Sequence, residues 1–302
     1  GAEAQLDLDV TRAFAHAVAA RRRAELADQA ARAFATAAGV SERRLREGDI
    51  SGFAARRIRL EAARYAALRA EAVLASSTAR LTLATLTAIP LATSTVFREP
   101  IAESAIGTIL VSADSLEPIA LRSRPEIASA ELEVDVATVE TRSASRERLP
   151  SATFTLGGKR EEVVGGDQFN GFVAGLSLPL PLWDRRGGSI GAARSETQRR
   201  SSELSGVQRT VIREVTEAAE SFQAVQDQLR VLSPALQAEA ATVLRSAQVA
   251  YAEGELTLLE WLDTVRAYYE TETAIANLRA ELLIRAATLE RAVGTPFIQD
   301  LR

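Results

Sequence analysis

The chain has 302 residues, 5% of them aromatic, a formal charge of −4 and neither cysteine nor methionine. Without cysteine there are no disulfides, thiolate metal sites or thiol catalysis, and with His16 as the single histidine, soft-metal ligation by side chains is close to excluded. The small charge implies no nucleic-acid partner, and no run of 18 apolar residues is present to make a transmembrane helix.

Apolar residues recur at steps of three and four through most of the chain, which predicts long helices packed side by side. Val10, Phe14, Ala17, Val18, Leu26, Ala30, Phe34 and Ala37 predict a first helix over about 7–46. His16 falls on it as an ordinary surface or interface residue. Gly48-Asp49-Ile50-Ser51 interrupts the pattern, with glycine closing one helix and Asp49 or Ser51 capping a second that runs to about Ala88. Residues 90–124 contain Pro90, Pro100 and Pro118 and read as an irregular connecting segment with short elements of its own. Pro125 opens a third helix that ends near Arg148.

Within 151–182 the period drops to two. Ala152, Phe154 and Leu156 share one face against Thr153 and Thr155; Phe172, Ala174, Leu176, Leu178 and Leu180 share another against Gly175, Ser177 and Pro179. This predicts a β-hairpin of two strands, each about 9–11 residues, the length a tilted strand needs to cross a bilayer. Turn residues at 165–170 join the strands. The alternative is an ordinary hairpin packed on a soluble core. After Gly187-Gly188 a very long helix is expected from Ile190 to about Ala252, ~90 Å if unbroken, with Pro234 able to kink it. Gly254 stops it, a last helix runs from Thr257 to Val293, and 297–302 form a tail.

The two helix–turn–helix stretches repeat each other. Gly48, Asp49, Ile50 and Ser51 match Gly254, Glu255, Leu256 and Thr257 at an offset of 206, which also carries Leu83 onto Leu289 and Pro90 onto Pro296. The chain therefore divides into a first repeat at 1–89, the connecting segment at 90–124, and a second repeat at 125–296. Only the second copy has a hairpin, so the first copy is expected to lack its amino-terminal part. The missing initiator methionine fits a mature or partial chain.

No catalytic constellation is present: no Ser/His/Asp set, no phosphate-binding glycine loop and no metal-ligand spacing. Neither an enzyme nor a cofactor is expected.

Arg124-Pro125-Glu126-Ile127, Leu149-Pro150-Ser151, Leu176-Ser177-Leu178-Pro179-Leu180 and Ala250-Tyr251-Ala252-Glu253-Gly254-Glu255-Leu256-Thr257-Leu258-Leu259-Glu260, in this order, resemble the TolC-type outer-membrane efflux proteins. Pro179-Leu180-Pro181-Leu182-Trp183-Asp184-Arg185 and Gly48-Asp49-Ile50-Ser51 are most similar to the subfamily paired with heavy-metal exporters of the cobalt–zinc–cadmium and copper–silver kind. The resemblance implies a mainly α protomer whose long antiparallel hairpins build a periplasmic α-barrel. The inserted β-hairpin would add strands to a trimeric outer-membrane β-barrel, with Phe154, Leu156, Phe172, Leu176, Leu178 and Leu180 facing lipid and Trp183 either at the interface or buried where barrel meets helices. The expected partners are two further copies, a periplasmic adaptor, an inner-membrane proton-driven pump and outer-membrane lipid. Three copies of one hairpin give six strands, fewer than the eight of the smallest bacterial barrels, whereas a second hairpin in each would give twelve.

The same resemblance assigns residues. Glu260 and Asp263, three apart on one helix face, would narrow the periplasmic entrance as a ring of carboxylates, and Tyr251 would help to hold it shut. The tips Gly48, Asp49, Ile50, Ser51, Gly254, Glu255, Leu256 and Thr257 would dock the adaptor. The implied function is a passive duct exporting metal cations or other small toxic solutes. A soluble helical scaffold with a self-packed hairpin is the other reading.

Overall fold

In a computed structural model the described residues are 2–92, 95, 97, 112–147, 152–162, 168–178, 186–232 and 234–296. They fall into two units, Gly1–Ser123 with Val211–Arg302, and Arg124–Thr210.

The first unit is built on α1 (Ala2–Glu47) and α2 (Gly52–Thr87), an antiparallel pair, with α6 (Pro234–Glu253) and α7 (Leu258–Val293) forming a second pair. Contacts run from α2 to α1, from α1 to α7 and from α7 to α6. Along α1 one inward row is Leu8, Ala15, Ala19, Leu26, Ala30, Phe34, Ala37 and Ser41, at steps of three, four and seven, with Ala13, Ala17 and Ala20 buried beside it. So many alanines leave little side chain between neighbouring axes, and the bulk is concentrated in Phe34, Ile58, Trp261, Leu262 and Val265, which cluster with Tyr251 and Tyr269. A second cluster gathers Ala13, Ala17 and Leu83, with Val10, Phe14 and Phe97 against it.

One expectation holds in part here and one needs correction. Within the connecting segment, where short elements are expected, α3 (Ala113–Ser123) is an 11-residue helix that buries Leu116 and Ala120 despite Pro118 inside it. A single proline removes one intrahelical hydrogen bond, and these buried contacts offset it. Ser123 Oγ donates to the carbonyl of Val293, tying the end of α3 to the end of α7. The correction concerns the expected 190–252 helix, which does not continue with a mere kink. It is two helices, α5 (Gly187–Val231) and α6, and Pro234 stands first in the second, where its missing N–H is no loss.

The second unit holds α4 (Pro125–Arg146), β1 (Thr153–Glu162), β2 (Gln168–Ser177) and the first part of α5. α4 and α5 run antiparallel. Thr197 Oγ1 lies 3.0 Å from Thr141 Oγ1 and donates to the Ala137 carbonyl, and Arg200 pairs with Glu133. Arg186 pairs with Glu147 where the chain leaves and re-enters the helices around the hairpin. The strands pair antiparallel, Thr153 opposite Ser177 through to Glu162 opposite Gln168. The ladder therefore ends at Ser177, so Leu178 lies just beyond the strand to which its alternation assigns it. Of the turn expected at 165–170, Gln168, Phe169 and Asn170 belong instead to β2, while residues 163–167, Leu180 and Trp183 lie outside the described residues.

Candidate functional site at the paired helix tips

The two tips have the same hydrogen-bond plan. Asp49 N–H donates to the Arg44 carbonyl at 2.9 Å and Gly48 N–H to that of Leu45 at 3.2 Å; Glu255 N–H donates to Ala250 at 2.9 Å and Gly254 N–H to Tyr251 at 3.2 Å. This is the Schellman closure, which requires a left-handed residue after the helix, and Gly48 (φ 83°) and Gly254 (φ 84°) supply it. Ser51 and Thr257 then cap the returning helices from extended backbone, at φ −73°, ψ 152° and φ −71°, ψ 156°. The match reaches the far ends as well, where Ala88 (φ 54°) and Gly294 (φ 82°) are left-handed C-caps at the same offset.

The structure brings the tips together. Arg44, Ile50, Ala54 and Ile58 from the first line a groove of about 250 Å³ with Tyr251, Gly254, Glu255, Leu256, Thr257 and Leu258 from the second. Gly48, Asp49, Ser51, Gly254, Glu255 and Thr257 are exposed, while Ile50 and Leu256 are half-buried.

Aromatic rings hold the four helices behind the tips. Tyr65 on α2 stacks on Phe34 of α1 with centroids 4.1 Å apart; Phe34 meets Trp261 of α7 edge-on at 5.3 Å; Trp261 stacks on Tyr251 of α6 at 5.1 Å. Ion pairs run beside them. Arg69 reaches Asp28 at 2.7 Å, Arg22 reaches Glu272 at 2.9 Å, Arg59 reaches Glu42 at 3.3 Å, and Arg266 pairs with Glu61. Burial raises the Tyr65 hydroxyl and pushes Tyr269 up to about 12, so both stay neutral at ordinary pH.

The three residues assigned to the entrance occupy different surroundings. Tyr251 is buried, its hydroxyl 3.4 Å from Ser41 Oγ across the interhelical gap. Asp263 is exposed, 3.9 Å from Arg266. Glu260 is exposed too, but its carboxylate turns back to the start of its own helix, accepting from Thr257 N–H at 3.0 Å and from the Thr257 hydroxyl at 2.6 Å. These bonds hold its carboxyl below the usual range.

Sequence reasoning places Phe34 on the apolar face of the first helix but gives no role to Tyr65 or Trp261. The one signal available is that Trp261 is one of only two tryptophans and sits in the first turn after the tip.

In the hairpin, Phe154, Leu156, Phe172, Leu176 and Leu178 are all exposed, Phe172 at 94%. Phe154 pairs with Leu176, Leu156 with Ala174 and Gly158 with Phe172, so the apolar side chains share one face. Among the described residues no three His, Cys, Asp or Glu side chains gather as a metal site, and no helix is long and apolar enough to cross a membrane.

The chain resembles known proteins throughout its length. It is 24% identical over 201 residues to the outer membrane protein TolC of Vibrio cholerae, covering 63% of this chain and 45% of that protein. It is 24% identical over 307 residues to the cobalt-zinc-cadmium resistance protein CzcC of Cupriavidus metallidurans, covering 97% and 69%. The chain thus spans under half of TolC and about two-thirds of CzcC. Its fold matches the crystal structure of CusC with a TM-score of 0.75 at 18% identity, over 97% of this chain and 69% of that one. The family of outer membrane efflux proteins, a family of transport proteins rather than enzymes, matches residues 117–295, more than half of the chain. The chain belongs to the outer membrane efflux protein family, which puts it at the Gram-negative outer membrane with its helices in the periplasm.

Proposed function

We propose that the chain is a subunit of a passive efflux duct that acts as a homotrimer with a periplasmic adaptor and an inner-membrane proton-driven pump. The observation that carries this reading is the hairpin: two strands of 10 residues with Phe154, Leu156, Phe172 and Leu176 exposed on one face. A two-stranded hairpin is marginal alone, and an exposed apolar face of this length calls for lipid outside and neighbouring strands at its edges. The soluble-scaffold reading needs these side chains buried against the protein's own helices, and they are exposed.

Further copies find support in α2. Phe53, Leu60, Ala67, Leu74 and Leu81 recur every seven residues along it and are all exposed, as are Val243 and Val249 on α6. A stripe of that period suits a packed neighbouring helix. The tips, exposed and paired, are the surface for the adaptor, and the first turns of α7 with Tyr251, Glu260 and Asp263 form the mouth behind it.

For cargo, metal cations are the narrower reading, motivated by the name of CzcC and by the likeness at Gly48–Ser51 and Pro179–Arg185. With carboxylates as its only anionic ligands, the chain would leave discrimination among metals to its partners. The test is fractionation of cells expressing the full-length protein, followed by growth of a deletion strain on cobalt, zinc and cadmium salts and on organic toxicants. Recovery in the outer membrane with detergent-dependent monodispersity supports the duct, and metal-restricted sensitivity supports the narrower cargo. A protein monodisperse without detergent overturns the duct; sensitivity to organic compounds alone overturns the metal cargo.

A further inference from the structure

Arginines crowd the first tip without partners. Among the described residues, Arg43, Arg44 and Arg46 at the end of α1, and Arg56 and Arg57 on α2, make no ion pair and no side-chain hydrogen bond. Farther along the same helices, Arg21, Arg22, Arg32 and Arg69 each meet a carboxylate. The acids near the tip are too few to answer them: Glu42 is held by Arg59 at 3.3 Å, which leaves Glu47 and Asp49. Nor does the turn need these arginines. At the matching positions of the second repeat stand Val249, Ala250, Ala252, Leu262 and Asp263, and that tip closes with the same backbone bonds. Like charges gathered on one tip repel each other, and a guanidinium gains most from a carboxylate it can grip with two N–H groups.

We infer that the first tip is a docking surface for an acidic protein segment, the carboxylate-bearing end of the periplasmic adaptor. This rests on reading the tips as the adaptor surface, and adds the sign of the charge the partner carries there. Arg43, Arg46 and Arg56 are exposed, and Arg44 and Arg57 half-buried. Arg44 also lines the groove between the tips with Ile50, Ala54, Ile58 and Leu256, so a segment drawn in by charge meets an apolar seat beside it. A bilayer surface is anionic too, but it fits less well. Glu253 and Glu255 stand exposed on the neighbouring tip and would be repelled by a continuous negative surface, whereas a single segment can avoid them.

The chain has no cysteine, so Leu45→Cys, exposed between Arg44 and Arg46, takes a photoreactive label at one site. The labelled full-length protein is irradiated in permeabilised cells, and the captured peptide is sequenced. It should come from a helical end with an excess of Asp and Glu. Arg43→Gln, Arg46→Gln, Arg56→Gln and Arg57→Gln together should cut capture about tenfold without lowering Tm, because they relieve repulsion. Arg142→Gln with Arg146→Gln, which removes exposed charge from α4, should leave capture unchanged. A neutral or basic peptide, a lipid adduct, no capture, or capture that the fourfold change does not alter overturns the inference. A second arm titrates the detergent-solubilised protein with a synthetic helical hairpin whose turn carries glutamates, and with a twin carrying glutamines. The glutamate hairpin should bind about tenfold tighter at low salt, and equal binding also overturns the inference. A protein found outside the outer-membrane fraction overturns the duct reading instead, and the hairpin arm then decides the charge preference of the tip on its own.

Discussion

Gly48 and Gly254 make the same left-handed turn, and Ser51 and Thr257 the same extended cap, yet the side chains around them differ in charge. Residues 42–59 carry Arg43, Arg44, Arg46, Arg56, Arg57 and Arg59 against Glu42, Glu47 and Asp49; residues 248–265 carry Glu253, Glu255, Glu260 and Asp263 and no base. Helix dipoles explain only part of this. They favour Arg44 and Arg46 at the end of α1 and Glu260 at the start of α7, but oppose Arg56 and Arg57 near the start of α2 and Glu253 at the end of α6. The turn is thus specified by glycine, hydroxyl and backbone, and the charge by something outside the hairpin. Packing differs too: Ala55 and Trp261 are both buried at matching positions, so one ring fills between α1, α6 and α7 what the first repeat leaves to a methyl group.

The largest break in the comparison should come from that ring. Trp261→Ala removes the link between Phe34 and Tyr251 and should cost about 3–5 kcal/mol of stability in thermal or denaturant unfolding. The two turn glycines should instead behave alike. A Cβ at Gly48 meets nothing within 4 Å, and one at Gly254 only the end of the Arg44 side chain at 3.6 Å. Gly48→Ala and Gly254→Ala should therefore each cost about 1–2 kcal/mol, from backbone conformation alone. Ala88 holds a left-handed C-cap where its counterpart is Gly294, so Ala88→Gly should stabilise the protein by up to about 1 kcal/mol, seen as a raised Tm.

A smaller difference separates the caps. Thr257→Ala should cost about 1 kcal/mol and exceed Ser51→Ala, because it also releases the Glu260 carboxylate. The smallest effect is one of pH. The Glu260 carboxyl is held below the usual range by its bonds to Thr257, so the protection it gives is present above the unfolded value and lost as pH falls through the folded one. Protection factors at 257–260 should drop below about pH 4, while those at 51–54, capped by a hydroxyl, stay level.

Much of this was legible in the sequence because the signals are local. Period 3.6 against period 2, the glycine-to-hydroxyl tips and the offset of 206 located the long helices, the hairpin and the repeat. The short elements expected in 90–124 could not be placed because prolines mask the short amphipathic pattern of α3, and the break before Pro234 depends on whether a proline bends a helix or starts a new one. Stacking of Tyr65, Phe34, Trp261 and Tyr251 joins four helices far apart in sequence, so no window along the chain displays it. The capping box was readable in Thr257-Leu258-Leu259-Glu260, but the spacing of Glu260 to Asp263 suggested a shared face and concealed their different partners.

The helix order α2, α1, α7, α6 has two unlike outer members: a stripe of seven-residue period on α2, and Val243 and Val249 on α6. Copies that join one edge to the other do so head to tail, and such contacts do not limit themselves to a pair. The number of copies is then set by the angle each contact turns through, and closure by whether those angles sum to a full circle. A substitution on the α2 stripe that changes this angle without weakening the contact would yield the wrong number of subunits, or an open chain of them, from protomers that are individually well folded.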